Sequence, residues 1–476
     1  MPGSRRPTLT LGAHGPLHLR RCRLPLDAFD THLYVVGRTK VGKSKFLQSL
    51  LYQLIAQGQG CGLLDPHSDL CDDLLDQLYP LLATQPTLRQ RIVYFAPGRD
   101  DYLIPWNVLR TPGEPYVVAQ NVLEAFRRTW PESLREAPRF ANLALASLLL
   151  LIEQGLTLVE MPRLLTEPDH RRALLGRTRN AEVRRFFKER FERWGRDRAL
   201  IIESALNKVG AFTINPRLRL ILGSRENGLP LRQIMDRGQI LLCDLGRVDA
   251  ETRRLLGSLI MTGLEQAALS RMDTPSDQRR PFTFLLDEFQ DYCANAGSAQ
   301  TLARILAECR KFRLHLGLAH HTLSQIDSDL LKGALENAQF KAVFGSGRET
   351  AGALARDLFL PNLAEVKHLV DDEDQRERVH PAFFSLGEQW ERYTQMAQRL
   401  PRRYCLLQLP EREGVRRVRT PTVPGRTLSE EALETLRASL ARQSGRPRLA
   451  LEREIAARES ALEDAPTVRY YEEVQA

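Results

Sequence analysis

The sequence predicts an α/β fold in which a mostly parallel central sheet, covered on both faces, is interrupted by an all-helical insertion and followed by a helical C-terminal tail. Three observations carry this reading. Seven short apolar runs bounded by turn residues recur at Leu33 to Val36, Cys61 to Leu64, Ile92 to Phe95, Ile240 to Leu245, Phe282 to Leu286, Leu314 to Leu318 and Ala342 to Phe344, the continuous pattern of strands buried on both faces. Helical stripes lie between them, one formed by Phe46, Leu47, Leu50, Leu51, Leu54 and Ile55, another by Leu255, Leu256, Leu259, Ile260, Leu264 and Ala268; strand alternating with helix is the signature of a two-sided sheet. Between Thr111 and about Pro230 the strand-like runs stop.

The elements follow in order. Residues 1–30 form a lead-in with basic residues but neither the apolar stretch nor the small-residue cleavage site of a secretory leader. Residues 31–110 carry the first part of the sheet. Residues 111–230 form the insertion, where "RRALLGRTRNAEVRRFFKERFERWGRDR" holds 11 basic and 4 acidic residues. Arg184, Arg185, Arg190 and Arg193 are there either a solvated helix face or a basic surface that meets phosphates, and the sequence leaves both open. Residues 231–425 complete the sheet and add a strand pair around "RRYCLLQLP" and "GVRRVRTPTVP". From residue 426 to 476, "LSEEALETLRASLARQ" and "LALEREIAARESAL" read as exposed helices in a mobile tail.

Composition narrows the class. The longest apolar stretch, Leu143 to Ile152, is well short of the roughly 18 to 20 residues that cross a bilayer, so no integral membrane segment is expected and the chain is placed in the cytoplasm. Seven scattered cysteines without a CxxC pair predict buried, reduced thiols. The net charge of +9 points to a polyanionic partner. However, 59 of the 68 basic residues are arginine, a skew that a GC-rich genome also produces, so charge alone supports nucleic-acid binding weakly.

The chemistry concentrates in two places. Gly37, Gly42, Lys43 and Ser44 fit G-x-x-x-x-G-K-[ST], after an apolar run and at the start of an amphipathic helix, where backbone N–H groups and a helix N-terminus hold phosphate. This is a P-loop. Its nucleotide-binding stretch is Gly37, Thr39, Lys40, Val41, Gly42, Lys43, Ser44 and Lys45, with Lys43 reaching the β- and γ-phosphates of ATP and the Ser44 hydroxyl ligating Mg²⁺. "FTFLLDEFQ" supplies the second pair of groups at the end of another buried run: Asp287 on the magnesium side and Glu288 as the general base for water. That pair favours a hydrolase over a small-molecule kinase. "GLLDPHSDL", at Gly62 to Leu70, is either a turn that caps the next helix or a further contribution to the site; both readings stand.

The blocks "GRTKVGKS", "GLLDPHSDL", "FLLDEFQDY", "CRKFRLHLGLAHHTLSQI" and "NAQFKAVFGSGRETA", in this order and spacing, resemble the HerA/FtsK superfamily and most nearly the soluble domain of type IV secretion coupling proteins. The resemblance covers roughly residues 20 to 425. It implies a RecA-like P-loop NTPase core with an all-helical insertion, assembled as a ring that is usually hexameric and moving DNA, single- or double-stranded, at the expense of ATP. It further implies that Arg310 acts as an arginine finger in a neighbouring subunit's site, with Arg348 an alternative candidate, and that His321 occupies the place of the family's sensor glutamine. The chain departs from the pattern in having Lys40 and Val41 where glycine is common, and in lacking N-terminal membrane helices. A nucleotide switch that assembles on DNA or on a protein partner, and a motor for polypeptide, are the alternative readings.

Overall fold

The computed structural model describes residues 7–15, 18–130, 138–195, 197–292, 296–371, 379–410 and 414–463. All seven apolar runs are strands. They are β3 (Leu33–Val36), β4 (Gly60–Asp65), β5 (Ile92–Phe95), β7 (Ile240–Asp244), β8 (Phe282–Leu286), β9 (Leu314–His320) and β10 (Phe340–Phe344), with the short β6 (Tyr102–Leu103) lying outside this sheet. They pair in parallel in the order β10-β3-β9-β8-β4-β7-β5. Successive side chains enter opposite cores: Tyr34 and Val36 face one, Leu33 and Val35 the other. This two-sided burial is why the strands read as continuous apolar runs rather than alternating ones. Helix α1 (Lys43–Ala56) lays its predicted stripe, Phe46 to Ile55, against the second of these cores.

The sheet is larger than the sequence reading. The lead-in is a hairpin, β1 (Thr8–His14) and β2 (Arg20–Pro25). The predicted strand pair is β13 (Tyr404–Gln408) and β14 (Val415–Arg419). Together these four continue the sheet antiparallel beyond β10, in the order β2-β1-β14-β13. A second hairpin, β11 (Val366–Asp371) and β12 (Val379–Phe383), stands apart as its own two-stranded sheet.

The insertion is helical from Pro115–Thr129 through Leu231–Arg237 among the described residues. It leaves and rejoins the sheet through a narrow neck, where Trp106 N donates to Ile221 O at 2.7 Å and Gly228 N to Pro105 O at 2.7 Å. Inside it Phe186 packs edge to face on Phe187 and Trp194, Phe187 does so on Phe191, and Trp194 lies tilted against Phe191. Three of the four arginines considered above are held locally: Arg184 by the Thr178 carbonyl, Arg185 by Glu182 at 3.2 Å, and Arg190 over the Phe186 ring. Arg193 has no such partner among the described residues.

The C-terminal helices are docked rather than exposed. Helix Glu430–Ser444 buries Leu433, Leu436, Leu440 and Ala441, and its end covers the edge strand β5: Gln443 Nε2 donates to Arg89 O at 2.9 Å and to Ile92 O at 3.3 Å, while Tyr94 N donates to Ser444 Oγ. Helix Arg448–Glu463 then packs Leu451 and Ile455 on the insertion, and Arg458 pairs with the buried Glu160 at 2.5 Å. The charged composition that suggests a free tail is spent on ion pairs. Chief among them is Arg437, 1% exposed, which pairs with Asp72 at 2.9 Å, Glu430 at 2.7 Å and Glu434 at 2.7 Å. Asp72 belongs to α2 (Asp69–Thr84), and burial pushes its carboxyl up to about 6 even against the Arg437 charge.

Removing Arg437 leaves the buried Asp72 with only the more distant Arg426, 4.0 Å away, as a paired cation among the described residues, so Arg437→Leu should cost about 3 to 5 kcal/mol in urea unfolding. The deficit should shrink between pH 8 and pH 5, because the folded-state carboxyl lies above its ordinary value and regains its proton on acidification. A deficit under about 1 kcal/mol at pH 8 would show that the pair contributes little.

Candidate active site

β3 ends at Val36 and the chain turns sharply into α1. Lys40 (φ 62°) and Gly42 (φ 117°) take left-handed conformations, a shape that aims successive N–H groups into one concavity. Gly37 N and Arg38 N bond to His320 O and Gly345 O. Among the described residues, the N–H groups of Thr39, Lys40, Val41 and Gly42 donate to no protein oxygen, and α1 adds the donors of its first turn, which carries no side-chain cap. Val41 is half-buried, whereas the Thr39 and Lys40 side chains are exposed. Lys45 turns away to Asp73 at 2.7 Å, so what it holds is α2.

Lys43 is 5% exposed. Its ammonium donates to Gly37 O at 2.6 Å, Arg38 O at 3.1 Å and His321 Nδ1 at 2.8 Å. Burial pulls its pKa down, while the Glu288 and Asp287 charges oppose that. An ammonium has donors only, so His321 Nδ1 accepts and the proton of the neutral ring sits on Nε2. From there it donates to Glu288 Oε1 at 2.9 Å. A single line of contacts thus runs Lys43, His321, Glu288. The other histidine of the pair, His320, is fully buried, bonded to Tyr34 Oη at 2.6 Å and packed on Phe289, and burial drops its pKa to about 3.

Ser44 Oγ donates to Asp287 Oδ2 at 3.2 Å. Glu288 follows in a left-handed conformation, φ 49°, and its Oε2 accepts from Gln290 Nε2 at 2.8 Å. Such a backbone is unfavourable for a glutamate, and residues held this way cluster at functional sites. Asp287 and Glu288 are therefore aimed differently: one at Ser44, the other across the cleft at His321.

The block "GLLDPHSDL" acts as a turn. Asp65, 1% exposed, accepts from His67 N at 2.9 Å and Cys71 N at 2.8 Å, and Ser68 bonds Asp244. Asp65 still bears on the site, because its charge is one of those that raise Asp287. The sequence reading missed Asp244, whose carboxylate also takes the Tyr94 hydroxyl at 2.7 Å, and the turn before β13, where Arg403 N donates to Val41 O at 2.8 Å and braces the P-loop.

Arg310 lies elsewhere. It sits in the short 3₁₀ turn Cys309–Phe312 before β9, whose far end carries His320 and His321. At about 3.3 Å per residue along the strand, roughly 20 Å separates it from its own Lys43. Arg348 begins the helix Arg348–Leu358 and pairs with Glu391 at 2.8 Å. Six cysteines are described, all buried; Cys293 lies outside the described residues. No described helix is long and apolar enough to cross a membrane.

A parallel sheet whose P-loop and acidic strand end meet at its carboxyl edge, with helices on both faces and a helical insertion, is a RecA-like core. Solved structures share it along nearly the whole chain. The plasmid coupling protein TrwB in complex with ADP and Mg²⁺ superposes with a TM-score of 0.57, at 18% identity, over 90% of this chain and 98% of that one. TrwB with the non-hydrolysable GTP analogue GDPNP gives 0.56 at 17% identity over the same shares. VirB4 of Thermoanaerobacter pseudethanolicus gives 0.55 at 13% identity, over 88% of this chain and 98% of that one. No protein-family model and no curated protein sequence matches the chain. The resemblance to coupling proteins read from five sequence blocks thus holds for the fold as a whole.

Burial first, then the Glu288 and Asp65 charges, push the Asp287 carboxyl from 3.8 up to about 6. A folded value above the unfolded one means that stability falls as pH rises through about 4 to 6. Asp287→Asn should therefore stabilise the metal-free protein at pH 7.5, on the order of 1 to 3 kcal/mol, and by less at pH 5. Thermal unfolding at both pH values measures this; an unchanged or lowered Tm at pH 7.5 would mean that the carboxylate is not under strain.

Proposed function

We propose that the chain is an ATP-driven DNA-moving ATPase of the coupling-protein type, hydrolysing ATP at sites completed between subunits of a ring. The single observation that carries this is the convergence of Lys43, Ser44, Asp287 and Glu288 on one concavity lined by unpaired backbone N–H groups. Fit to a nucleotide is supported by those donors and by the donor set of the cleft: N–H groups and an ammonium for phosphate, a hydroxyl and a carboxylate for a hard cation. Ser44 Oγ and the Asp287 carboxylate would hold Mg²⁺, which supplies charge neutralisation of the phosphates.

The chain's own residues would divide the remaining work. Lys43 exchanges the Gly37 and Arg38 carbonyls for phosphate oxygens, which offset its desolvation better. Glu288 Oε1 takes the proton of the attacking water. His321, already bonded to both Lys43 and Glu288, registers whether a γ-phosphate stands between them. The neutral ring offers one donor and one acceptor, as the amide side chain of glutamine does. Arg310, too far from its own P-loop, would serve a neighbour's, where its planar fork suits a transferring phosphoryl group.

Lys43→Ala should abolish ATP binding in calorimetric titration. Glu288→Gln should bind ATP within a few fold of wild type and lose on the order of 10² or more in kcat. Phosphate release by the wild type should rise on adding DNA, and comparing single with double strands identifies the substrate. Turnover that ignores DNA and rises with an unfolded polypeptide would overturn the DNA assignment in favour of a protein motor.

A further inference from the structure

The lead-in turn before β3 meets the candidate finger through Asp30. Its backbone carbonyl accepts Arg310 Nε at 2.8 Å. Its carboxylate is fixed from two other directions: Oδ2 accepts Arg313 Nη1 at 2.6 Å, and Oδ1 faces His315 Nε2 at 2.7 Å. His315 is 1% exposed, at the buried start of β9, and so cannot wander. Arg313 is itself fixed. It holds a left-handed conformation, φ 61°, and it closes the 3₁₀ turn by donating its N–H to Arg310 O at 2.9 Å while its carbonyl accepts Phe282 N at 2.9 Å. His315 and Arg313 hold the Asp30 carboxyl down to about 2 against its burial, so it is ionised at any pH the protein meets.

Arg310 is exposed, and among the described residues it makes no ion pair. Among those residues its side chain's one hydrogen bond uses Nε. The two terminal nitrogens, the pair that grips a phosphoryl or carboxylate group bidentately, remain uncommitted. A flexible arginine carries about 2 kcal/mol of rotamer entropy; anchoring Nε removes part of that freedom before any phosphate arrives, which is how a preformed group lowers a barrier at little cost in the reaction itself.

We propose that Asp30 is the positioning residue of Arg310: its carboxylate, locked by Arg313 and His315, fixes the carbonyl that orients the guanidinium toward the neighbouring subunit's γ-phosphate. The assignment rests on the reading of Arg310 as a finger acting in trans. Asp30 touches no nucleotide and does its work through Arg310.

The test is subunit complementation. Asp30→Ala and the near-isosteric Asp30→Asn are each assayed alone and mixed in equal amounts with Glu288→Gln. The second variant keeps the test alive should the first fail to fold. Alone, Asp30→Ala should lose about tenfold or more in kcat, with KM for ATP within about twofold, because its own nucleotide contacts are intact. In the mixture, an Asp30→Ala subunit supplies a good P-loop and base, and a Glu288→Gln neighbour supplies a good finger. Random assembly makes about one interface in four productive, so the mixture should recover roughly a quarter of wild-type turnover. A mixture no more active than its two parts, while Arg310→Ala mixed with Glu288→Gln does recover, would overturn the role of Asp30 and leave the finger standing. Failure of the Arg310→Ala mixture as well would remove the trans finger itself.

Discussion

One buried ammonium organises this molecule. Lys43 carries a charge into a site where water can scarcely reach it, and an isolated charge there would be expensive. Everything within reach is arranged to answer it: two carbonyls of the P-loop, the lone pair of His321, and behind them the carboxylates of Asp287 and Glu288. Burial, reinforced by the neighbouring Glu288 charge, holds the Asp287 carboxyl up at about 6. A phosphate chain with its cation would relieve both strains at once, adding negative charge beside the ammonium and positive charge beside the carboxylates. The site is shaped by opposing imbalances that a single ligand corrects.

That arrangement needs a rigid frame. The seven parallel strands are almost wholly buried, so the P-loop, Asp287 and His321 all issue from strand ends whose registers are locked by pairing: Val36 opposite His320, and Leu286 opposite Leu318. Glycines keep the frame tight. A Cβ on Gly317 would sit 2.2 Å from Leu285 Cδ2, and one on Gly37 would sit 2.5 Å from Phe344 Cβ. Close packing between β3, β9, β8 and β10 is thus what brings three separate stretches of sequence to one cleft.

Sequence made the local part of this legible. Phosphate-binding loops and doubly buried strands are written in contiguous residues, so the P-loop, the acidic pair and all seven parallel strands could be read directly. What escaped depends on partners distant in the chain. In the β1 and β2 hairpin, β1 alternates apolar with small polar residues and β2 is basic and half-exposed, so its role appears only once β14, some 400 residues on, lies beside it. The final helices look solvated because their charges are numerous; nothing local says that Arg437 will be swallowed by Asp72, Glu430 and Glu434. Of the two adjacent histidines, the end of β9 decides which is core and which is site: His320 is its last buried residue and His321 lies just past it. Asp30 gave no signal at all, since its importance lies in a backbone carbonyl.

The docked C-terminal segment has a consequence for how the protein comes into being. β5 is an edge strand, and a bare edge is a template for pairing with another chain. Its cover, helix Glu430–Ser444, lies far downstream in the chain and is made long after the strand it guards. At roughly 5 to 20 residues per second, the strand waits tens of seconds on the ribosome before its guard arrives. Nascent and truncated chains are therefore the forms most open to mispairing, and the segment that closes the edge also fastens the insertion to the sheet. A segment made late thus latches what was made early.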